Sequence, residues 1–148
     1  MMGEAGSITP TCTIGDIFLP TWGLREEGTS YHYLSPDIQP SPSNELLTSL
    51  RHGLRELKVE WQEGGIWTID APFRETFEKI AAYADHDVGA VEMESSALMS
   101  IAMYRNVDFA AILAISDELY DKTWTPGFGS EQLKRSKDVI VETIRKVF

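Results

Sequence analysis

The chain holds 148 residues, 43% hydrophobic and 24% charged, with 11 glycines and seven prolines, the make-up of an ordinary folded protein of one domain. Thirteen Lys and Arg against 23 Asp and Glu leave a net charge of −10, which disfavours any partner held by neutralising polymer phosphates and so excludes DNA and RNA as expected ligands. Cys12 is the single cysteine and offers no internal disulfide, and no run of about 18 apolar residues is present to span a membrane. With no basic-then-apolar leader at its start, the chain reads as cytoplasmic. His32, His52 and His86 lie in unrelated contexts and supply no metal ligand set.

Residues 14–19, Ile-Gly-Asp-Ile-Phe-Leu, predict a strand closed by Pro20. Residues 22–44 then read as a long surface loop, of the kind that either binds or flexes. Ser43 or Asn44 caps a helix whose Leu46, Leu47, Leu50, Leu54 and Leu57 share a face, interrupted by Gly53. Residues 59–68 predict two short β segments around Gly64-Gly65, in a hairpin-type or bulged arrangement. Phe77, Ile80, Ala81 and Ala84 follow helical spacing, with Arg74, Glu75, Glu78 and Lys79 on the wet face.

Residues 88–91 form a short apolar strand, Ala97, Leu98, Ile101 and Ala102 a nearly all-apolar helix buried on most sides, and residues 109–115 another strand. Strand, buried helix and strand in succession predict a parallel pair joined by a right-handed crossover. Ser130 caps a last helix with Leu133, Ile140, Ile144 and Val147 inward. The fold class is α/β, a three-layer sandwich around a central mixed, partly parallel β-sheet.

Ligands of such sheets bind beyond the carboxyl ends of the strands. Two polar clusters fall there: Glu92-Met93-Glu94-Ser95-Ser96 where a strand runs into a helix, and Ser116-Asp117-Glu118 at the end of the next strand. If the chain stays extended, Glu92 and Glu94 point the same way, and Asp117 emerges at the same edge as Glu94. Carboxylates accept hydrogen bonds from vicinal sugar hydroxyls and serve as general acids, so the pair of clusters suits a sugar-bearing substrate with a group needing a proton. Acidic residues opening a helix and an Asp after a strand also have the plainer roles of dipole complement and cap.

These residues carry a resemblance. Glu92-Met93-Glu94 opening a helix of small residues, with Ser116-Asp117 closing the next strand, resembles the nucleoside phosphorylase family of purine and uridine phosphorylases. Gly15-Asp16-Ile17 leading to Pro20, the run Arg25-Glu26-Glu27-Gly28-Thr29-Ser30 and His32-Tyr33 resemble the family's segment after its phosphate loop. Thr68, Asp70 and Phe73-Arg74-Glu75-Thr76 resemble its base-pocket strand.

The resemblance implies glycosyl transfer, in which phosphate attacks C1′ of a nucleoside while the base leaves an oxocarbenium-like sugar. Glu94 would hold the ribose 2′ and 3′ hydroxyls, Met93 pack on the sugar and Glu92 support that grip. Asp117 matches the acid at N7 of a departing purine, with Ser116 orienting it, which favours a purine over uracil. Phe73 would stack on the base, Arg74 contact base or substrate, and His32 reach the 5′ side of the sugar. Phe73 also fits a buried strand-end aromatic, and Arg74 and His32 fit exposed surface positions.

Phosphate is then the co-substrate, no further cofactor is implied, and a homo-oligomer is expected. The chain corresponds to the C-terminal portion of the family pattern, without the N-terminal portion that carries a glycine loop and phosphate-gripping arginines. Gly3 and Gly6 align with the end of the phosphate region, but Glu4 stands where the family has threonine, and a carboxylate beside phosphate costs about 1 kcal/mol per charge pair at contact range even in water. A phosphate-independent nucleosidase and a non-catalytic nucleoside-binding or structural remnant are the competing readings. A chain of this extent is expected to expose a sheet edge or apolar face.

Overall fold

The computed structural model describes residues 1–148. Six strands, β1 (Met2–Ser7), β2 (Ile17–Glu26), β3 (Gln62–Ile69), β4 (Val88–Glu92), β5 (Ile112–Glu118) and β6 (Thr125–Pro126), form one mixed sheet. Four helices flank it: α1 (Asn44–Glu56), α2 (Phe77–Ala84), α3 (Ser95–Arg105) and α4 (Glu131–Val147). The α/β class holds, and the strand order β1-β4-β3-β2-β5-β6 closes on itself because β1 also pairs β5. No helix is long and apolar enough to cross a membrane.

Alternate side chains divide the interior. Ile17 and Leu19 of β2 with Ile112 and Ala114 of β5 meet Leu47, Leu50, Leu54, Leu133 and Ile140 of α1 and α4. The intervening Phe18, Leu113 and Ile115 join Ile66 and Ala90 in a second cluster. Trp67, Ile69, Val88 and Val91 pack under Ile80 of α2. The period of two along these strands is what a sheet covered on both faces requires. Gly53 belongs to the first cluster's geometry: a Cβ there would come within 3.0 Å of Thr143 and Val147, so its absence lets α1 close on α4.

Several expectations are corrected. Pro20 does not end its strand. β2 continues to Glu26, with a register shift against β3 between Pro20 and Trp22, a bulge that accommodates a residue lacking an N–H. Of the hairpin and bulge readings at Gly64-Gly65 the hairpin fails, since β3 is a single strand parallel to β2 and β4. The bulge holds: the register shifts against β2 opposite these glycines and against β4 between Gly65 and Ile66. The glycines make room for rings, since a Cβ on Gly65 would lie 2.4 Å from Trp22. Ser43 does not cap α1 through its side chain and instead bonds the backbone of Phe109. Ser130 does cap α4, accepting from the Leu133 N–H at 3.2 Å. In α3 the buried face includes Ser95, Ser96 and Ser100, while Met103 and Tyr104 are exposed, so that helix is not apolar on all buried sides.

The crossover is the largest correction. β4 and β5 are neither neighbours nor parallel, because β1 inserts between them, antiparallel to β4 and parallel to β5. β1 pairs β4 only at Gly6 and Ser7, so the β4-facing side of residues 2–5 has no strand partner, a short open edge of the expected kind.

The long loop begins after β2 and is strapped down by one side chain. Arg25 donates to the carbonyls of Ser35 (2.7 Å), Ile38 (3.0 Å) and Leu34 (3.0 Å) and to Ser30 Oγ (2.8 Å), and lies 4.2 Å from the Tyr31 ring centre. Hydrogen bonds from a charged donor contribute about 1.5–3 kcal/mol each where an acceptor is otherwise orphaned. Arg25→Ala is expected to speed amide exchange at Tyr33, Leu34 and Ile38 by about ten- to a hundredfold while leaving the exchange of β3 unchanged. Unaltered exchange at those three amides would show that the loop holds itself.

Candidate functional site

β1 aligns the two polar clusters. Gly6 pairs Val91 on one side and Asp117 on the other, so the end of β4 and the end of β5 are brought level across it although the strands run in opposite directions. A Cβ on Gly6 would stand 2.5 Å from Leu119 and 3.2 Å from Asp117 Oδ2, so a side chain there would displace Leu119 and crowd Asp117. A cavity of about 610 Å³ opens at this junction, a size suited to a small-molecule ligand. Met93, Glu94, Ser116 and Asp117 line it, with Glu92 and Gly6 beneath and Phe73 at its mouth.

The chain is not extended from Glu92 to Glu94: it bends at Met93 and Glu94 between β4 and α3, leaving Glu92 buried and Glu94 exposed. Glu92 is buried at 8% exposure and accepts hydrogen bonds from Thr68 Oγ1 (2.6 Å), the Glu94 N–H (3.0 Å), and the N–H (2.8 Å) and Oγ (2.9 Å) of Ser95. It thereby satisfies the Glu94 and Ser95 N–H groups at the start of α3, while Thr68 Oγ1 accepts from the Ser96 N–H. Burial pushes its carboxyl above the ordinary range, against the pull of those donors. Glu94 is exposed to the cavity and free to accept.

Asp117 is held at both oxygens. Ser116 Oγ lies 2.6 Å from Oδ1, and Trp124 Nε1 donates to Oδ2 at 2.8 Å. Trp124 reaches it because β6 folds back on β5, pairing Thr125 with Glu118 and Pro126 with Asp117. Phe128, 6.1 Å from Trp124 between ring centres, lines the cavity with it, as do Met93 and Phe73.

Two lining residues escaped the sequence reading. Trp124 and Phe128 stand in a Thr-Pro-Gly segment whose exposed aromatics were the available signal. Glu75, which the helical spacing puts on a wet face, instead follows a 3-10 turn, Pro72–Arg74, and is half-buried in the cavity. Burial, and then the charge of Asp117, push its carboxyl up to about 7.

The structure leaves three expected residues outside. Arg74 is exposed on the 3-10 turn rather than on α2, His32 is exposed on the turn Ser30–His32, and neither lines the cavity. Gly3 borders a separate small cavity beside Lys137. Phe73 is fully exposed, not a buried strand-end residue. Glu4 lines the main cavity and is ion-paired with Lys137. The charged lining consists of Glu4, Glu75, Glu92, Glu94 and Asp117, with no basic side chain among them.

Residues 1–146 match the family described as the Phosphorylase superfamily. The chain belongs to that superfamily. Among similar proteins, a guanosine phosphorylase of Halorubrum lacusprofundi is 26% identical over 144 residues, covering 97% of this chain and 60% of the relative. A DeoD-type purine nucleoside phosphorylase of Exiguobacterium sibiricum is 28% identical over 119 residues, covering 80% and 51%. The chain thus spans about half to three-fifths of the length of these relatives.

Among solved structures, a purine nucleoside phosphorylase of Toxoplasma gondii in complex with immucillin-H superposes with a TM-score of 0.88 at 20% identity, covering 99% of this chain and 60% of that one. An AMP nucleosidase of Bacteroides thetaiotaomicron superposes at 0.75 with 23% identity, covering 97% and 57%. Both share the fold.

Proposed function

We propose that this chain forms the sugar-and-base part of a site that cleaves the N-glycosidic bond of a purine nucleoside, with phosphate as the acceptor. The observation that carries the reading is the convergence of Glu94 and Asp117 on one aromatic-walled cavity. Glu94 accepts hydrogen bonds from the ribose 2′ and 3′ hydroxyls, and Met93 packs on the sugar. Phe73 stacks on the base, a contact worth about 1–3 kcal/mol in nucleic-acid systems. Asp117, oriented by Ser116 and Trp124, faces the base nitrogen that takes up a proton as the C1′–N bond breaks. Glu92 fixes the Glu94 backbone and hence the sugar grip.

Of the candidate phosphate-region residues, Gly6 reaches the cavity and Gly3 does not. Glu4 and the wholly acidic lining favour a second reading in which water is the acceptor. The test is incubation of the purified chain with inosine and adenosine, with and without phosphate, followed by chromatography of the free base. Phosphate-dependent release with ribose 1-phosphate supports the first reading, and equal release without phosphate supports the second. No release with either substrate defeats both, and calorimetry then separates a nucleoside binder from a structural relic.

A further inference from the structure

The proton for the leaving base has two candidate carriers in the cavity, and their surroundings differ. Both Asp117 oxygens already accept, from Ser116 Oγ and from Trp124 Nε1, an arrangement built to receive hydrogen bonds. Glu75 lines the same cavity, half-buried, and no donor of the chain is bonded to its carboxyl. It also follows Phe73 by two residues, beyond the turn that sets Phe73 at the mouth where the base would stack.

The groups lining the cavity with it are Asp117 from β5, Glu92 and Glu94 from the β4–α3 junction and Glu4 from β1, all acidic, while Arg74 of its own turn lies outside. An acid so placed holds its proton to higher pH than an ordinary carboxyl, and a general acid is most effective when it titrates near the working pH. Its carboxyl, raised to about 7, agrees with that placement.

We propose that Glu75 is the proton donor to the departing base and Asp117 the carboxylate that holds the N–H so formed. The inference rests on the glycosidic-cleavage reading above. As the C1′–N bond breaks, its electron pair stays on the base, the Glu75 proton moves to the purine nitrogen, and the base leaves neutral. Glu75 is left as a carboxylate. The acceptor, water or hydrogen phosphate, bonds through oxygen to C1′, and the proton it loses returns to Glu75 through solvent.

The experiment compares inosine with 4-nitrophenyl β-D-ribofuranoside, whose leaving group departs as an anion and needs no proton. With Glu75→Gln, hypoxanthine release is expected to fall at least about 100-fold and to lose its declining limb near pH 7, whereas nitrophenolate release falls by no more than about threefold. Glu75→Asp should recover part of the inosine rate. Carbon-13 NMR of the glutamate carboxyls gives a readout free of turnover: one carboxyl titrating near pH 7, absent in Glu75→Gln and moved downward in Asp117→Asn.

Equal loss on both substrates, an unchanged inosine rate, or the absence of any glutamate titrating near pH 7 overturns the assignment. A wild-type chain that releases no base defeats the functional reading and this inference together. Wild-type release matched by Glu75→Gln defeats the inference alone.

Discussion

Asp117→Asn is expected to slow release of hypoxanthine from inosine by about 10²- to 10⁴-fold, the range found when a group engaged with the transferring proton is removed. The amide keeps the shape and one acceptor but turns the other oxygen into an NH₂ group. Trp124 Nε1 can only donate and keeps the remaining amide oxygen, while the Ser116 hydroxyl, which also reaches the Ala5 carbonyl, turns to accept from the new NH₂ group.

The larger loss is charge. A neutral amide does not stabilise the N–H that forms on the base, so the change falls on kcat. Nucleoside affinity by calorimetry should stay within about threefold, because Glu94, Met93 and Phe73 are untouched. The substitution also removes the charge that, after burial, raises Glu75, so the falling limb of the pH profile shifts to lower pH. Turnover within threefold of wild type, with the limb unmoved, would remove Asp117 from the chemistry.

The parts of this fold that could be read in the sequence are those whose pattern is local. The leucines of α1 and the Ser130-capped α4 each bury one helical stripe, and such stripes survive whatever the topology. Of the expected α2 face Phe77, Ile80, Ala81 and Ala84, only Ile80 is buried, with Phe77 and Ala81 exposed. β1 was not legible. Met-Gly-Glu-Ala-Gly-Ser has little strand propensity, and it is extended because β5 pairs it along its length and β4 joins at Gly6 and Ser7.

Missing β1 also produced the mistaken parallel crossover, since without it β4 and β5 read as adjacent. The convergence of Glu94 and Asp117 survived that error for a reason the linear pattern does not contain: Gly6 sets Val91 and Asp117 level from either side. Glu94, Ser116 and Asp117 stood out because polar residues interrupt apolar runs. Glu75 and Trp124 did not, because their roles depend on a 3-10 turn and on β6 folding back.

Glu92 anchors the start of α3, and its removal is expected to cost stability. Glu92→Ala leaves the Thr68 hydroxyl, the Glu94 and Ser95 N–H groups and the Ser95 hydroxyl without their acceptor, all at a buried helix start. Lost capping and unsatisfied donors together correspond to about 3 kcal/mol, or a fall in melting temperature on the order of 10 °C for a chain of this size. Its pH dependence tests the balance of forces. Burial raises the folded-state carboxyl above its ordinary value of 4.5, so Glu92 contributes stability that is fully present below that value and is lost as pH climbs through the raised one. The deficit of Glu92→Ala, measured by thermal unfolding, should therefore be larger near pH 4 than at pH 8. A deficit that grew with pH would show that the donors from Thr68, Glu94 and Ser95 outweigh desolvation and that the ionised carboxylate is the clamp.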